Sequence, residues 1–165
     1  MRRPSLLVTV LAIAACIAAC SAAKDTTAPP GGDPVIPKAI SVSFPGGSVA
    51  SEIASLRAQR ETGLMNRPSI AADSGMIFVW ATDRNPQFEG FFMLNTHFDL
   101  SVAFLDAQKR VINIEDMTAE TLTIHFATAP FRYAVEARKG WFASHGVVPG
   151  ATATFTIPAG VIIDP

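Results

Sequence analysis

Apolar and polar residues alternate along much of this chain, and this alternation limits its possible folds more than any other feature. In the segment FRYAVEA (131–137), apolar side chains occupy every second position from Phe131 to Ala137. Successive side chains of a β-strand point to opposite faces, so a period of two indicates a strand with one face against a core. Further alternating or short apolar segments are 39–44, 48–55, 75–80, 91–94, 99–106, 111–116, 122–126 and 151–157.

Helical patterns are brief by comparison. Ser55 is a candidate N-cap for a helix that ends at Gly63, and residues 138–146 allow one or two turns before Gly146. We therefore expect a mainly β (α+β) fold, namely a curled antiparallel sheet or partly closed barrel of seven to eight strands with two short helices. Either arrangement would cover edge strands, which otherwise present unpaired backbone groups.

The N-terminus has the features of an export signal. Arg2 and Arg3 precede an apolar stretch at 6–17, which is shorter than the ~20 residues that a helix needs to cross a bilayer. The next residues, IAAC (17–20), resemble the lipobox of bacterial lipoprotein signals. This resemblance implies cleavage before Cys20 and lipidation of that cysteine, and two acyl chains are enough for stable anchoring.

Two alternatives to lipidation at Cys20 follow from the same region. A second IAAC match ends at Cys16, although it leaves a shorter apolar stretch before it. An ordinary signal peptide could instead be cut near Ala22 or Ala23, and Cys20 would then have no role.

The leader and the composition after it predict how the chain is organised. Residues 1–20 are expected to be a lipoprotein signal peptide, and residues 21–38, which are rich in Pro, Gly, Thr and Ala, a flexible tether. Residues 39–165 are long enough for a single β-rich domain. Ser21 follows the cysteine where Asp would signal retention, so by resemblance to the usual sorting rule we expect the periplasmic face of the outer membrane.

The predicted domain contains no cysteine, because both cysteines lie in the leader. This excludes a disulfide, a thiol nucleophile and a thiolate metal site from the domain. Without Arg2 and Arg3 the chain has eleven basic and fourteen acidic residues, which argues against a nucleic-acid partner. The three histidines (His97, His125 and His145) share no metal-ligand spacing, and no glycine-rich phosphate loop is present, so we predict no metal and no cofactor.

Three segments carry a family resemblance when they are taken in order. They are ETGLMNRPSIAADSGMIFVW (61–80), FFMLNTHFDLSVAFLDAQKRVINIE (91–115) and YAVEARKGWFASHGVVPGA (133–151). They resemble the bacterial and archaeal family called domain of unknown function 192, over about residues 48–157. The resemblance implies a periplasmic, lipid-anchored or secreted domain without an established biochemical role. Leu94 stands where the family usually has a lysine, so this chain lacks that cation.

A polar segment, NTHFD (95–99), interrupts an apolar run and marks the candidate site. In a structural interpretation its side chains cap backbone groups where the sheet bends. In a binding interpretation the loop that carries Arg67 lies beside this segment, and Arg67 meets Asp99. Asn95 and Thr96 would then supply hydrogen bonds along an aromatic wall of Phe88, Phe91 and Phe92.

Two chemical alternatives use other residues. Asp99 and Glu136 could form the carboxylate pair that glycoside hydrolysis requires. Met65, Met93 and His97 could bind Cu(I), although Met in an apolar context is usually a core residue.

From these observations we expect a lipid-anchored envelope protein whose domain is a non-catalytic module for binding a small ligand or an accessory module. The expected partners are the membrane, through the lipid, and a small molecule or saccharide. The alternative is an envelope glycan hydrolase with paired carboxylates. The candidate binding residues are Arg67, Met93, Asn95, Thr96, Asp99 and Glu136.

Overall fold

The computed structural model describes residues 39–165, and its strands follow the apolar segments of the sequence. The strands are β1 (Ala39–Phe44), β2 (Gly47–Ala54), β3 (Ser74–Arg84), β4 (Gly90–Phe91), β5 (Leu100–Leu105), β6 (Val111–Met117), β7 (His125–Phe126) and β8 (Phe131–Arg138). The helices are α1 (Arg57–Thr62) and α2 (Trp141–Ser144). The predicted signal peptide, the tether and Cys20 lie outside the described residues. No helix within 39–165 has the length and apolarity needed to cross a bilayer.

Six strands form one curled sheet in the order β1-β2-β3-β8-β5-β6, and β4 pairs with β7 separately. The expectation of a mainly β fold with eight strands and two short helices is confirmed. The sheet is mixed, however, because β2 and β3 pair in parallel while the other neighbours are antiparallel. A parallel pair needs a crossover connection, and α1 lies in that connection.

Within residues 39–165 the sheet does not close into a barrel. In this part of the chain the segment 151–157, which alternation predicts to be a strand, makes only two isolated bridges, from Thr154 to Ser43 and from Thr152 to Arg110. Ser43 belongs to one edge strand, and Arg110 immediately precedes the other. The segment therefore crosses from one edge of the sheet to the other, and its alternation reflects the burial of Ala153 and Phe155 rather than strand pairing.

Each face of the sheet packs against its own core. Strand β5 is buried along its whole length, with Ala103 and Leu105 in the first core and Val102 and Phe104 in the second. Burial on both faces explains why β5 is apolar at every position except Ser101 instead of alternating. The second core also contains Leu64, Ile70, Met76, Phe78, Trp80, Met93, Leu100, Met117 and Phe131.

Both ends of the first helix have a local cause in the sequence. Gln59 Oε1 accepts hydrogen bonds from the backbone N–H groups of Ser55 and Leu56, both at 3.0 Å. The N-cap position is Leu56, so the prediction that Ser55 caps the helix is wrong by one residue. The helix ends at Gly63, whose φ of 48° favours glycine.

Candidate functional site

The polar segment 95–99 lies beside the loop that carries Arg67, as the binding interpretation predicts. The backbone N–H of Asn66 donates to the carbonyl of Asn95 at 2.8 Å. Both asparagines have left-handed backbone angles, with φ of 59° and 53°. Asn tolerates this conformation better than most residues, so its position at both turns has a local physical reason.

Other groups of the polar segment hold the neighbouring turn at 118–121. The backbone N–H of Glu120 donates to the carbonyl of Thr96 at 3.1 Å, and the Glu120 carboxylate contacts His97 Nδ1. Asp99 Oδ1 accepts the backbone N–H of Ala119 at 2.8 Å. Most of the polar segment therefore serves to join three loops, which supports the structural interpretation.

Asp99 and Arg67 have different partners from those expected. Arg67 forms a two-pronged ion pair with Glu52 of β2, at 2.5 and 2.9 Å, and this hydrogen bonding raises the pKa of Arg67. Asp99 lies 3.4 Å from Lys139 Nζ. Its hydrogen bond from the Ala119 N–H, with a smaller contribution from Lys139, lowers the pKa of Asp99. The predicted Arg67–Asp99 pair is therefore wrong, because each residue reaches a nearer charge.

The methionine hypothesis also gains no support from the structure. Met93 is only 1% exposed and belongs to the second core, Met65 lines a cleft, and His97 is engaged by Glu120. Within residues 39–165 no group of three or more His, Cys, Asp or Glu side chains could hold a metal ion.

A cleft of about 500 Å³ lies between α1, the turn that follows this helix, and strands β3 and β4. It includes two of the six predicted site residues, Thr96 and Glu136, and leaves Arg67, Met93, Asn95 and Asp99 outside its lining. The lining residues are Arg57, Arg60, Glu61, Thr62, Gly63, Leu64, Met65, Phe78, Trp80, Arg84, Glu89, Gly90, Phe91, Phe92, Thr96, Glu136 and Pro165.

Glu136 is the buried acid of this cleft. It lies on β8 with Met76 of β3 and Val102 of β5 as its cross-strand neighbours, and it is 5% exposed. No hydrogen bond or ion pair joins its carboxyl group to any side chain or backbone group of residues 39–165. Burial raises the pKa of Glu136 to about 8, so the carboxyl group is mainly protonated at pH 7.

The carboxyl oxygens of Glu136 open on to the cleft. Within the described part of the chain, no fully enclosed side-chain oxygen lacks a hydrogen-bond partner. Because the Glu136 oxygens have no protein partner, they must retain some access, and the cleft that Glu136 lines provides it. A buried polar group that faces a cavity without a partner is typical of a ligand site.

Aromatic rings form one wall of the cleft. The ring of Phe91 packs edge-to-face on Phe78 at a centroid distance of 4.9 Å and on Trp80 at 6.5 Å. Phe92, which is 42% exposed, also lines the cleft. Of the three aromatic residues expected in the wall, Phe91 and Phe92 line the cleft, whereas Phe88 is exposed and lies outside its lining.

Three arginines border the cleft, and each already has partners. Arg57 pairs with Glu61 at 2.7 Å, and Arg84 pairs with Glu89. Arg60 donates to the backbone carbonyls of neighbouring segments, and its guanidinium carbon lies 5.3 Å from the centroid of the Trp80 ring. Burial lowers the pKa of Arg60.

Sequence reasoning missed these arginines together with Phe78 and Trp80. A partial signal for the burial of Glu136 was present in β5, the strand that pairs with β8, because all residues of β5 except Ser101 are apolar. A strand that pairs with such a neighbour inside the sheet is buried on both faces, and this includes the face of β8 that carries Glu136. The arginines had no comparable signal, because a short charged helix is usually only solvent-exposed.

The comparisons with known proteins agree with this architecture. Residues 40–155 match the model of domain of unknown function 192 (DUF192), described as an uncharacterized ACR. The match covers most of the chain, and the protein belongs to this family. No protein with a curated description matches the chain.

Solved structures that are similar to this chain include the following two. One is a protein of Sinorhizobium meliloti 1021 that has been proposed to be a transcription regulator, with 26% identity and a TM-score of 0.65 over 75% of this chain and 98% of that one. The other is a protein of unknown function from Novosphingobium aromaticivorans DSM 12444, with 30% identity and a TM-score of 0.62 over 78% of this chain and 94% of that one.

Proposed function

We propose that this DUF192 member is a non-catalytic envelope module that binds a small organic molecule in the cleft. One observation carries the proposal: the buried carboxyl group of Glu136 has no partner among residues 39–165 and lies in the lining of a cavity of about 500 Å³ with an aromatic wall. This volume lies within the roughly 300–1,000 Å³ that is typical of small-ligand sites, and charged side chains line the cleft beside its aromatic wall.

The envelope location is part of the same proposal and is supported by the leader sequence. We expect lipid attachment at Cys20, on the lipobox resemblance of residues 17–20. Metabolic labelling with a fatty-acid probe should modify the wild-type protein but not Cys20→Ala, and Cys16→Ala is the matched control. Labelling that persists in Cys20→Ala and disappears in Cys16→Ala would move the anchor to Cys16.

Ligand binding can be tested with two matched phenylalanine variants. Phe92 and Phe88 are both substantially exposed, at 42% and 82%, but only Phe92 lines the cleft. The purified full chain, kept in mild detergent, is titrated calorimetrically with saccharides, short peptides, amines and small alcohols. A ligand of the cleft should bind Phe92→Ala several-fold more weakly and Phe88→Ala unchanged. A panel that binds neither protein, or that binds both variants equally, contradicts the proposed site.

The second candidate is a glycan hydrolase, and one observation favours it. Glu136 retains a proton at neutral pH, which is what a general acid requires. Its predicted partner Asp99 is outside the cleft lining, whereas the carboxylates of Glu61 and Glu89 are inside it. Aryl glycosides would be hydrolysed by the wild type and not by Glu136→Gln under this alternative. Binding without turnover favours the module.

Nucleic acid is not a proposed ligand, despite the proposal of a regulatory role for the Sinorhizobium protein. Residues 39–165 contain nine basic and twelve acidic side chains. Phosphate backbones attract proteins that carry basic patches, so this charge balance is unfavourable for them.

A further inference from the structure

The cleft contains a carboxyl group that no cation of residues 39–165 pairs with. Burial is the only cause of the raised pKa of Glu136, so none of the three bordering arginines compensates its charge. Arg57 and Arg84 are committed to Glu61 and Glu89. An ionised carboxylate in apolar surroundings costs several kcal/mol unless a cation or several hydrogen bonds accompany it.

The surroundings of Glu136 show what would complete the site. Its cross-strand neighbours Met76 and Val102 are apolar, and the adjacent wall consists of the rings of Phe78, Trp80 and Phe91. Aromatic faces attract ammonium groups, and the attraction is stronger where the contact is desolvated. A carboxyl group beside such rings is therefore suited to a ligand with a positive charge and an apolar body.

An anionic ligand fits less well. The described residues bring no cation into the cleft other than Arg57, Arg60 and Arg84. The first and last are in ion pairs, and Arg60 donates to the carbonyls of Ser55 and Val79 while lying over Trp80. An anion would have to displace these contacts and would also approach Glu136.

We propose that the cleft binds organic cations, specifically primary amines whose ammonium group reaches Glu136 and whose apolar body lies along the aromatic wall. This inference rests on the proposed ligand-binding function and names its ligand class. No bond is made or broken in the step. The ammonium group stays protonated, the Glu136 carboxyl group ionises, and the proton that it loses passes to the solvent.

Proton release is therefore the expected signature. At pH 7 the free protein holds a proton on Glu136, so each bound ammonium ion should release close to one proton. The other titratable groups that line the cleft are the ion-paired Arg57, Glu61, Arg84 and Glu89 together with Arg60. None of these contributes to the pKa of Glu136.

The test compares two ligands of the same shape, 2-phenylethylamine and 2-phenylethanol. Calorimetric titration of the full chain at pH 7, in two buffers with different ionisation enthalpies, gives both the affinity and the number of protons released. We expect the amine to bind about tenfold or more tightly than the alcohol, as a charge-assisted hydrogen bond allows. Glu136→Gln should lose this preference and the proton release, whereas Asp99→Asn, outside the cleft lining, should keep both.

The outcomes separate the two proposals. If the alcohol or a saccharide binds in a Phe92-dependent manner as tightly as the amine, the ligand class is wrong and the binding module stands. Amine binding that Glu136→Gln leaves unchanged also overturns the inference. If no compound of either kind binds, the proposed function fails as well.

Discussion

At the scale of single residues, Glu136 has the most unusual environment. Its burial follows from the pairing of β8 with β5, whose residues are all buried and, except for Ser101, apolar; this pairing could not be deduced from the sequence. Its lack of a partner within residues 39–165 could not be deduced either, since it depends on which groups Arg60 and Arg67 contact in the folded protein. Ion pairs depend on contacts between distant segments, and a local pattern contains little information about them.

The raised pKa of Glu136 makes the stability of the protein depend on pH. The folded value of about 8 lies above the unfolded value near 4.5, so the neutral form stabilises the fold below pH 4.5. This contribution is lost as the pH rises towards 8, with a slope of up to ~1.4 kcal/mol per pH unit. Urea unfolding at pH 5, 6.5 and 8 should show this decline in the wild type. Glu136→Gln should show a flatter profile, and two parallel profiles would contradict the assignment.

We expect Asp99 to stabilise the neighbouring loops and to have no role in ligand binding. Asp99→Ala removes the acceptor of the Ala119 N–H and the partner of Lys139. Because the Asp99 side chain is 44% exposed, water can replace part of this bonding, and we expect a loss of about 1 kcal/mol in the free energy of unfolding. Denaturant unfolding measures the loss, and the ligand affinity of the folded variant should be unchanged. A loss of affinity at full stability would instead place Asp99 in the site.

At the scale of the elements, periodicity predicted most strands but not their pairing. The strand from Phe131 to Ala137 and its neighbours lie where alternation places them. The parallel pairing of β2 with β3 was missed. A short helix such as α1 can connect two antiparallel strands as well as two parallel strands, so its presence between β2 and β3 does not distinguish the two pairings. Alternation over 151–157 suggested a further strand. An extended segment that packs across the core also buries alternate side chains, and it does so without pairing along its length with another strand.

The pairing of β3 with β8 requires a glycine at position 75. A Cβ on Gly75 would lie 1.9 Å from the backbone oxygen of Glu136, and a neighbouring backbone cannot move aside cheaply. We expect Gly75→Ala to lower the free energy of unfolding by about 3 kcal/mol or more, as overpacking at a fixed backbone does. Thermal unfolding measures this loss.

Gly90→Ala is the matched control for this substitution. Its nearest obstacles are side-chain atoms of Ile124 and Phe126, which are half-exposed and can rotate. The loss of stability should be clearly smaller than for Gly75→Ala. Equal losses would mean that the β3–β8 contact tolerates a methyl group.

At the scale of the whole molecule, two cores on opposite faces of one sheet hold the domain together. The sequence indicated that enough apolar residues exist for this, and it indicated the class of fold. It did not indicate that residues 151–157 join the two edges of the sheet. A single bridge at each edge produces no sequence pattern that differs from the pattern of an ordinary strand.

Phe155 should anchor this connection. Its ring packs edge-to-face on Tyr133 at 5.0 Å, and Lys109 Nζ lies 4.4 Å from its centroid and donates to its carbonyl. Phe155→Ala should cost about 3–5 kcal/mol, as other buried phenylalanine truncations do. Hydrogen exchange should accelerate first in β1 and β6. The exposed Phe88→Ala is the control, and uniform acceleration across all strands would argue against a role specific to the edges.

The position of Pro165 has a practical consequence for anyone who prepares this protein. Its carbonyl oxygen accepts a hydrogen bond from Arg60 at 3.1 Å, and the residue belongs to the lining of the cleft. A bulky group attached next to Pro165 would lie beside the cleft lining and beside this hydrogen bond of Arg60. Recombinant material for screening is therefore best purified through a handle at another location, or with the handle removed by a protease before any compound is added.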